Sequence, residues 1–574
     1  MSENPRDVQV LPIATNTTVL RSRSWTRLRF EIEYALSRGT TSNSYVIQAD
    51  KIAIIDPPSE SFTEIYKEAI RRCFELEKID YVIIGHFNPN RMPTLRFLME
   101  MAPDVTFVTT VTGANYLKTA FSNSNLNPNL KVLAMRGKET LDLGKGHVLK
   151  FIPTPSPRWT EGLCTYDQQT QILYTDKLFS AHVCGDEIFD EDWGKFKEDQ
   201  RYYYDSVMAP NAVHIKAALE KIADYQVRLI APGHGPLLRY GMMELIKSYK
   251  QWSQSQAERE IKVALLYASA YGNTATLAQA IALGLTKGGV AVELINCEFA
   301  EADEIKDAVQ KSEGFIIGSP TIGGHAPTPI HTALGTVLTI GDNNKLAGVF
   351  GSYGWSGEAF DLIEGKLKEA GFKFGFETIR ARFKPSDKIL KDCEEAAIDF
   401  AQTLKRARKL RLPQPAASPI EQAVGRIIGS VCVITAQQGE ISTAMMGAWV
   451  SQATFNPPGL TIAIAKERAI ESLLHSGSKF ALNILAEGKH QEYMKHFRKS
   501  FAPGENRFAG FATATADNGC VVLAEDAVAY LECTISKRME CGDHWVMYAI
   551  VDNGKLLKPD AMTAIHHRKS GSYY

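Results

Sequence analysis

Paired cysteines are missing from this chain. Its nine cysteines are scattered through 574 residues, with no CxxC pair and no metal-ligand spacing. That excludes a disulfide framework, a zinc ribbon and a thioredoxin-type motif, and suits idle thiols in a reducing cytoplasm. Net charge is missing too. Lys and Arg total 64 against 65 Asp and Glu, a formal charge of −1, so nothing calls for a nucleic acid or an anionic lipid as partner. No apolar run approaches the length of a membrane span, and the opening MSENPRDVQV has no apolar core of a signal peptide. The expectation is a cytoplasmic protein with no membrane span. Internal repeats and low-complexity blocks are also absent.

What remains is ordinary globular composition, 45% apolar and 22% charged, in a chain too long for one core. Domains of roughly 100–200 residues suggest three. The clearest stretch lies near the middle. The apolar run Lys262–Ala268 breaks into Ser269, Ala270, Tyr271, Gly272, Asn273 and Thr274, and a helical pattern follows at once. A strand ending in small residues at a helix start is a phosphate cradle, because backbone N–H groups can approach the anion and the helix dipole favours it. Two more units repeat the plan. Gly314–Ser319 runs into Pro320, Thr321, Ile322, Gly323 and Gly324; Leu346–Gly351 runs into Ser352, Tyr353, Gly354, Trp355, Ser356 and Gly357. In a doubly wound sheet these loops converge at the carboxyl ends of the strands. The first suits a phosphate, and Tyr353 and Trp355 suit stacking on a planar ring. Together the three loops resemble a flavodoxin-like doubly wound α/β domain that binds FMN, as in flavodiiron proteins.

Before it, to about residue 258, short strands such as Ser44–Ala49, Lys51–Ile55, Tyr81–Ile84 and Val148–Ile152 recur, and many end in a polar residue: Asp56, His86, Asp176 or His234. Ligand-type residues at strand ends suggest a layered α/β sandwich. The stretches SNSYVI…KIAIIDPP, Gly85-His86 and Pro232-Gly233-His234-Gly235 resemble a metallo-β-lactamase-like αββα sandwich. In flavodiiron relatives the metal loop reads HxExDH, and a further His, a bridging Asp and a last His complete a diiron site. Here Asn88, Asn90 and Arg91 stand at the loop's Glu, Asp and second His, and Arg158 at the next His; His86, Asp176 and His234 remain. Amides are poor iron ligands, and a guanidinium stays protonated and cannot be one. The resemblance therefore implies a domain that keeps the fold without diiron chemistry. At most one weakly held metal on His86, Asp176 and His234 is left open, or an anion on the two arginines. The HxHxDH pattern of a zinc hydrolase is absent, which excludes that activity and a nuclease.

Two stretches read as linkers: the polar Ser253–Glu260, and Lys405–Pro419, a basic helix end with a Pro/Ala/Ser tail that suits a semi-stiff tether. They place domain limits at 1–258, 261–410 and 420–574. In the last region many short strands with turn signals indicate a small β-barrel. Its order TA…S…NPP…FALNIL…GDHWV is similar to the split β-barrel flavin reductases that use NAD(P)H. That likeness implies a second flavin, FMN or FAD, bordered by Thr443, Ser451 and Asn483, with His544 in the GDH position. Strand-end hydrogen bonding is the alternative for Asn483 and His544. There is no GxGxxG fingerprint here, so a nicotinamide binds against the flavin rather than in a fold of its own.

The three-part order resembles the class-C flavodiiron proteins of oxygenic phototrophs, in particular the cyanobacterial variant subunit with substituted iron ligands. It implies an oxidoreductase that passes electrons from NAD(P)H through two flavins to dioxygen, giving water in a photoprotective reaction. The partner implied is an iron-competent paralogue in a head-to-tail homo- or hetero-dimer. Two alternatives stay open: a stand-alone NAD(P)H:flavin or acceptor reductase, and a regulatory subunit with an anion in the former metal pocket. No catalytic residue is assigned from sequence.

Overall fold

The computed structural model describes residues 6–25, 38–122, 130–411, 418–488, 490–497, 501, 505–568 and 570–571. It divides into two compact units, the first ending at Glu258 and the second running from Arg259.

The first unit packs two sheets face to face. One has seven strands in chain order, from Asp7–Ala14 to Lys131–Met135; its first four pair antiparallel and the rest parallel. The other has five strands between Thr140–Asp142 and Leu229–Pro232. Successive residues of a strand face opposite ways, and the cores follow that rule. Val19, Tyr45 and Ile47 meet Phe151, Ile172 and Tyr174 between the sheets. Leu20, Val46 and Ile54 turn the other way, onto Tyr66, Ile70, Leu95 and Leu98 of the helices Thr63–Cys73 and Met92–Met101. This is the expected αββα sandwich. One stretch differs: Ser253–Ala257 closes the helix Met242–Ala257. Ser253 and Gln256 are buried there, and the Ser253 hydroxyl bonds Tyr204 Oη at 2.9 Å. Polar composition suggested a linker; burial with a partner makes a packed helix end.

The second unit holds a parallel sheet in the order Ala291–Asn296, Lys262–Tyr267, Gly314–Pro320, Leu346–Tyr353, Lys373–Phe374. The short strand Ile379–Arg382 pairs beside the carboxyl end of Leu346–Tyr353. The reversal of order next to the central strand puts a crevice at the carboxyl ends. Then come seven antiparallel strands in the order Ile441–Gly447, Cys432–Gln438, Lys479–Leu485, Ala527–Cys541, His544–Leu556, Pro458–Ala465, Val450–Phe455. The two edge strands are consecutive in the chain, separated only by Ala448 and Trp449, so the sheet must curl.

The two parts of this unit share one core. Leu277, Ile281, Leu285, Phe400 and Leu404 belong to the same apolar cluster as Ile434, Leu474, Phe480 and Met547. The seam between them also carries buried charge. Lys287 Nζ lies 2.5 Å from Glu471 and 3.1 Å from Glu394, Lys391 donates to Glu394 at 2.9 Å and to Ser472, and Arg538 donates to Glu471 at 2.7 Å. The expected tether is therefore not what joins the flavodoxin-like and barrel parts. Residues 412–417 of that stretch lie outside the described residues. Among the described residues no helix is long and apolar enough to cross a membrane.

Candidate functional site

The strongest candidate is the crevice at the carboxyl ends of the parallel sheet, a cavity of about 560 Å³. Tyr271, Asn273, Pro320, Thr321, Ile322, Gly323, Gly324, Ser352, Tyr353, Gly354, Trp355 and Ser356 line it. The helix Asn273–Lys287 starts here because Gly272 takes φ +81° at its N-cap. Gly323 and Gly324 have φ of +57° and +82°. At all three glycines an added Cβ would meet no protein atom within 4 Å, so their backbone is left open to a ligand. Thr274 Oγ1 and Ser352 Oγ, 2.8 Å apart, tie the first loop to the third. Thr321 Oγ1 is buried without a protein partner. Tyr271 and Trp355 are 86% and 89% exposed. An unpartnered hydroxyl, bare backbone at a helix start and aromatic rims fit a planar ring bearing a phosphate.

Two further expected residues stand at helix starts. The Ser269 hydroxyl accepts the Ala275 N–H at 3.0 Å, capping the helix from outside the cavity. Gly357 is the N-cap of the helix Glu358–Glu369. One lining residue escaped the sequence reading: Phe383, just past the strand Ile379–Arg382. A lone aromatic after a short edge strand gives no pattern; its adjacency to Arg382 and the closing Pro385 was the only signal.

In the first unit the strand ends bring His86, Asp176 and Arg91 into one buried cluster with Asp56. Arg91 Nη1 donates to Asp56 Oδ1 at 3.1 Å and to the His86 carbonyl at 3.3 Å, and its Nη2 donates to Asp176 Oδ1 at 3.2 Å. His86 Nδ1 is hydrogen-bonded to Asp176 Oδ2. Burial pushes the His86 pKa down to about 3, so its ring is neutral and donates to the carboxylate. Burial opposes the charge on Asp176, yet His86 and Arg91 beside it hold its pKa below the usual carboxylate range. Burial and the Asp176 charge push Asp56 up to about 7 against the pull of Arg91. His234 Nδ1 faces the Thr41 carbonyl at 2.6 Å, which leaves Nε2 to accept from Lys177 Nζ at 2.9 Å. Lys177, one residue past Asp176, was not foreseen; its position beside an expected ligand was the available signal.

The other substituted positions stand apart. Asn88 Oδ1 accepts the Asn90 N–H at 2.9 Å, Asn90 is exposed, and the Arg158 guanidinium lies 5.0 Å over Trp159. This donor set does not fit a pair of cations. The one retained carboxylate, Asp176, already shares the Arg91 guanidinium with Asp56, and an ammonium stands at His234. Among the described residues no three His, Cys, Asp or Glu side chains are grouped to hold a metal ion. Both arms of Arg91 are likewise taken by carboxylates, which leaves little of it for an anion.

In the barrel the four expected residues differ in burial. Asn483 is buried, donating to the Val433 carbonyl at 3.2 Å and accepting the Leu523 N–H at 2.8 Å. Thr443, also buried, donates to Glu395 at 3.3 Å. Ser451 is exposed on the edge strand Val450–Phe455. His544 starts its strand beside Trp449, ring centroids 4.8 Å apart, with Asp543 at 2.7 Å from Nδ1.

Comparison with known proteins matches each region separately. Residues 40–235 match the family described as ODP family beta lactamase, 265–397 match flavodoxin, and 424–572 match the flavin reductase like domain. Putative diflavin flavoprotein A 5 of a Nostoc species is 70% identical over 99% of this chain and 99% of its own. Putative diflavin flavoprotein A 3 of a Synechocystis species is 58% identical over 99% of this chain and 96% of its own. A solved structure, described as the metal-soaked Flv1 flavodiiron core from Synechocystis, is 56% identical with a TM-score of 0.69. It spans 70% of this chain and 100% of its own.

Proposed function

Because this chain belongs to the diflavin flavoprotein family of flavodiiron proteins, an oxidoreductase family, we propose that it is an electron-delivering subunit of an oxygen-reducing assembly. The observation that carries this reading is a contrast within one chain: an open flavin cradle, and a metal pocket whose carboxylates are bonded to Arg91.

In this reading the bare backbone at Gly272, Asn273, Gly323 and Gly324 binds the FMN phosphate and ring edge. Thr321 offers its unpartnered hydroxyl, and Tyr271, Tyr353 and Trp355 cover the ring. A second flavin, FMN or FAD, sits in the C-terminal barrel near Trp449 and His544. A bound flavin takes two electrons from a nicotinamide and releases them to the next carrier. The chain's residues orient the rings and keep water from them. NAD(P)H is the donor, and the shared core holds the two flavin domains at a fixed spacing. Electrons leave toward an iron-competent relative in a head-to-tail hetero-oligomer, where dioxygen becomes water. Nine free cysteines, seven of them buried or half-buried, suit a reducing cytoplasm. Retention of the cradle argues against a purely regulatory subunit. A stand-alone NAD(P)H:acceptor reductase is the second reading, favoured by the single unit that the two flavin domains form.

Oxygen uptake separates them. With NAD(P)H the chain alone should consume oxygen feebly, and addition of an iron-loaded family member should raise the rate above the sum of the two. Brisk uptake by the chain alone, unchanged on mixing, would favour the stand-alone reductase.

A further inference from the structure

Phe383 carries two features that are unfavourable on their own. Its φ is +56°, a region that bulky residues rarely enter and that marks strain. Its ring is also 50% exposed. Such a conformation persists only when the surroundings fix it, and here four contacts do. The Phe383 N–H donates to the Tyr353 carbonyl at 2.7 Å. Arg382 Nε donates to the Gly354 carbonyl at 3.2 Å, and its guanidinium lies 5.5 Å over the Phe383 ring. That ring meets Trp355 edge-on, centroids 5.9 Å apart at 84°. A Cβ at Gly354 would stand only 3.2 Å from it, so a small residue is what lets the ring lie against the third loop. The contacts hold two aromatic rings at the mouth of the crevice, Phe383 half exposed and Trp355 almost wholly so.

We propose that Phe383 is an FMN-contacting residue, its ring and that of Trp355 forming an aromatic corner against the flavin ring system. This rests on the FMN reading of the crevice. The strained backbone places the ring at the ligand rather than in the core. Aromatic pairs of this kind add to binding beyond the area they bury.

The test is FMN titration of the full-length apoprotein by fluorescence quenching, with thermal unfolding measured in parallel. Gly272→Val, which puts side-chain carbon into the open phosphate loop, identifies the binding class that belongs to the crevice. Phe383→Gly should weaken that class roughly 3- to 10-fold, shift the visible spectrum of its bound flavin and leave the unfolding temperature equal or higher, because glycine relieves the strain. Phe383→Tyr should restore wild-type affinity. Unchanged affinity in Phe383→Gly overturns the contact while the FMN reading stands. A drop in unfolding temperature that accounts for the lost affinity overturns it in favour of a structural role. A wild-type chain with no FMN class sensitive to Gly272→Val overturns both.

Discussion

Arg91→Ala should destabilise the N-terminal unit by about 3–5 kcal/mol, the range for breaking a buried ion pair by removing one partner. Arg91 is 5% exposed and serves Asp56 and Asp176 together, so its loss strands two buried carboxylates at once. Lysine is a poor substitute, since one ammonium cannot span both acids as the planar fork does. The deficit should depend on pH in a definite sense. Without the cation both acids titrate above their unfolded value of roughly 3.9. An acid whose folded pKa is raised contributes stability below its unfolded pKa and loses it as pH rises through the folded one. Asp56 already stands at about 7 beside Arg91 and rises further without it, so the variant's deficit should be smaller near pH 4 and still growing at pH 8. Hydrogen exchange of the strands Ile52–Ile55 and Ile172–Asp176, run at both pH values, measures it. A deficit under 1 kcal/mol at pH 8 would mean that Arg91 does not compensate these charges.

Glu471→Ala is expected to cost about as much, again about 3–5 kcal/mol, but in the second unit. Glu471 neutralises Lys287 and Arg538 at the seam between the flavodoxin-like and barrel parts. Both cations are nearly buried, with side-chain exposures of 8% and 3%, so neither finds water when the carboxylate goes. Burial opposes the Glu471 charge, but the two cations hold its pKa below the carboxylate range. A depressed acid gives stability that is present above its unfolded pKa and lost only in strong acid, so the loss in Glu471→Ala should be nearly constant from pH 6 to 8. Without Glu471 the seam's three cations face Glu394 alone, so replacing Lys287 with Met in the same chain lowers that excess by one and should recover part of the loss. Urea unfolding of the full chain, with hydrogen exchange reporting on Lys479–Leu485 and Lys262–Tyr267, tests both. If only the barrel strands lose protection, the two parts do not unfold as one and the seam is weaker than its geometry.

The flavodoxin-like part was legible because its signals are local. An apolar run, a glycine turn and a helix pattern lie side by side in the chain, three times over. The sandwich was legible in the same way, from short apolar runs such as Lys51–Ile55 and Tyr81–Ile84 that end at Asp56 and His86. What failed to show depends on distant partners. Ser253 and Gln256 look like linker residues until Tyr204 and the packed helix bury them. Lys287, Lys391 and Glu394 form no pattern in the sequence, and only the barrel's Glu471 and Ser472 reveal them as a seam. Around Arg91 the departures from the diiron pattern at Asn88, Asn90, Arg91 and Arg158 were plain from the sequence, but their consequences were not equal. Arg91 turned inward onto two acids, whereas Arg158 stacked on Trp159 and Asn90 faced water. Asn483 shows the opposite limit: a residue chosen by resemblance whose amide is bonded to backbone on both sides.

The measurement closest to the central claim is the metal and flavin content of the full-length protein after reconstitution with excess Fe(II) and flavin, read beside NAD(P)H-driven oxygen uptake. Flavin near two per chain, no stoichiometric iron and feeble uptake are expected, because Arg91 and Lys177 hold the positions that cations would need. Two tightly bound irons per chain with brisk uptake would contradict that claim.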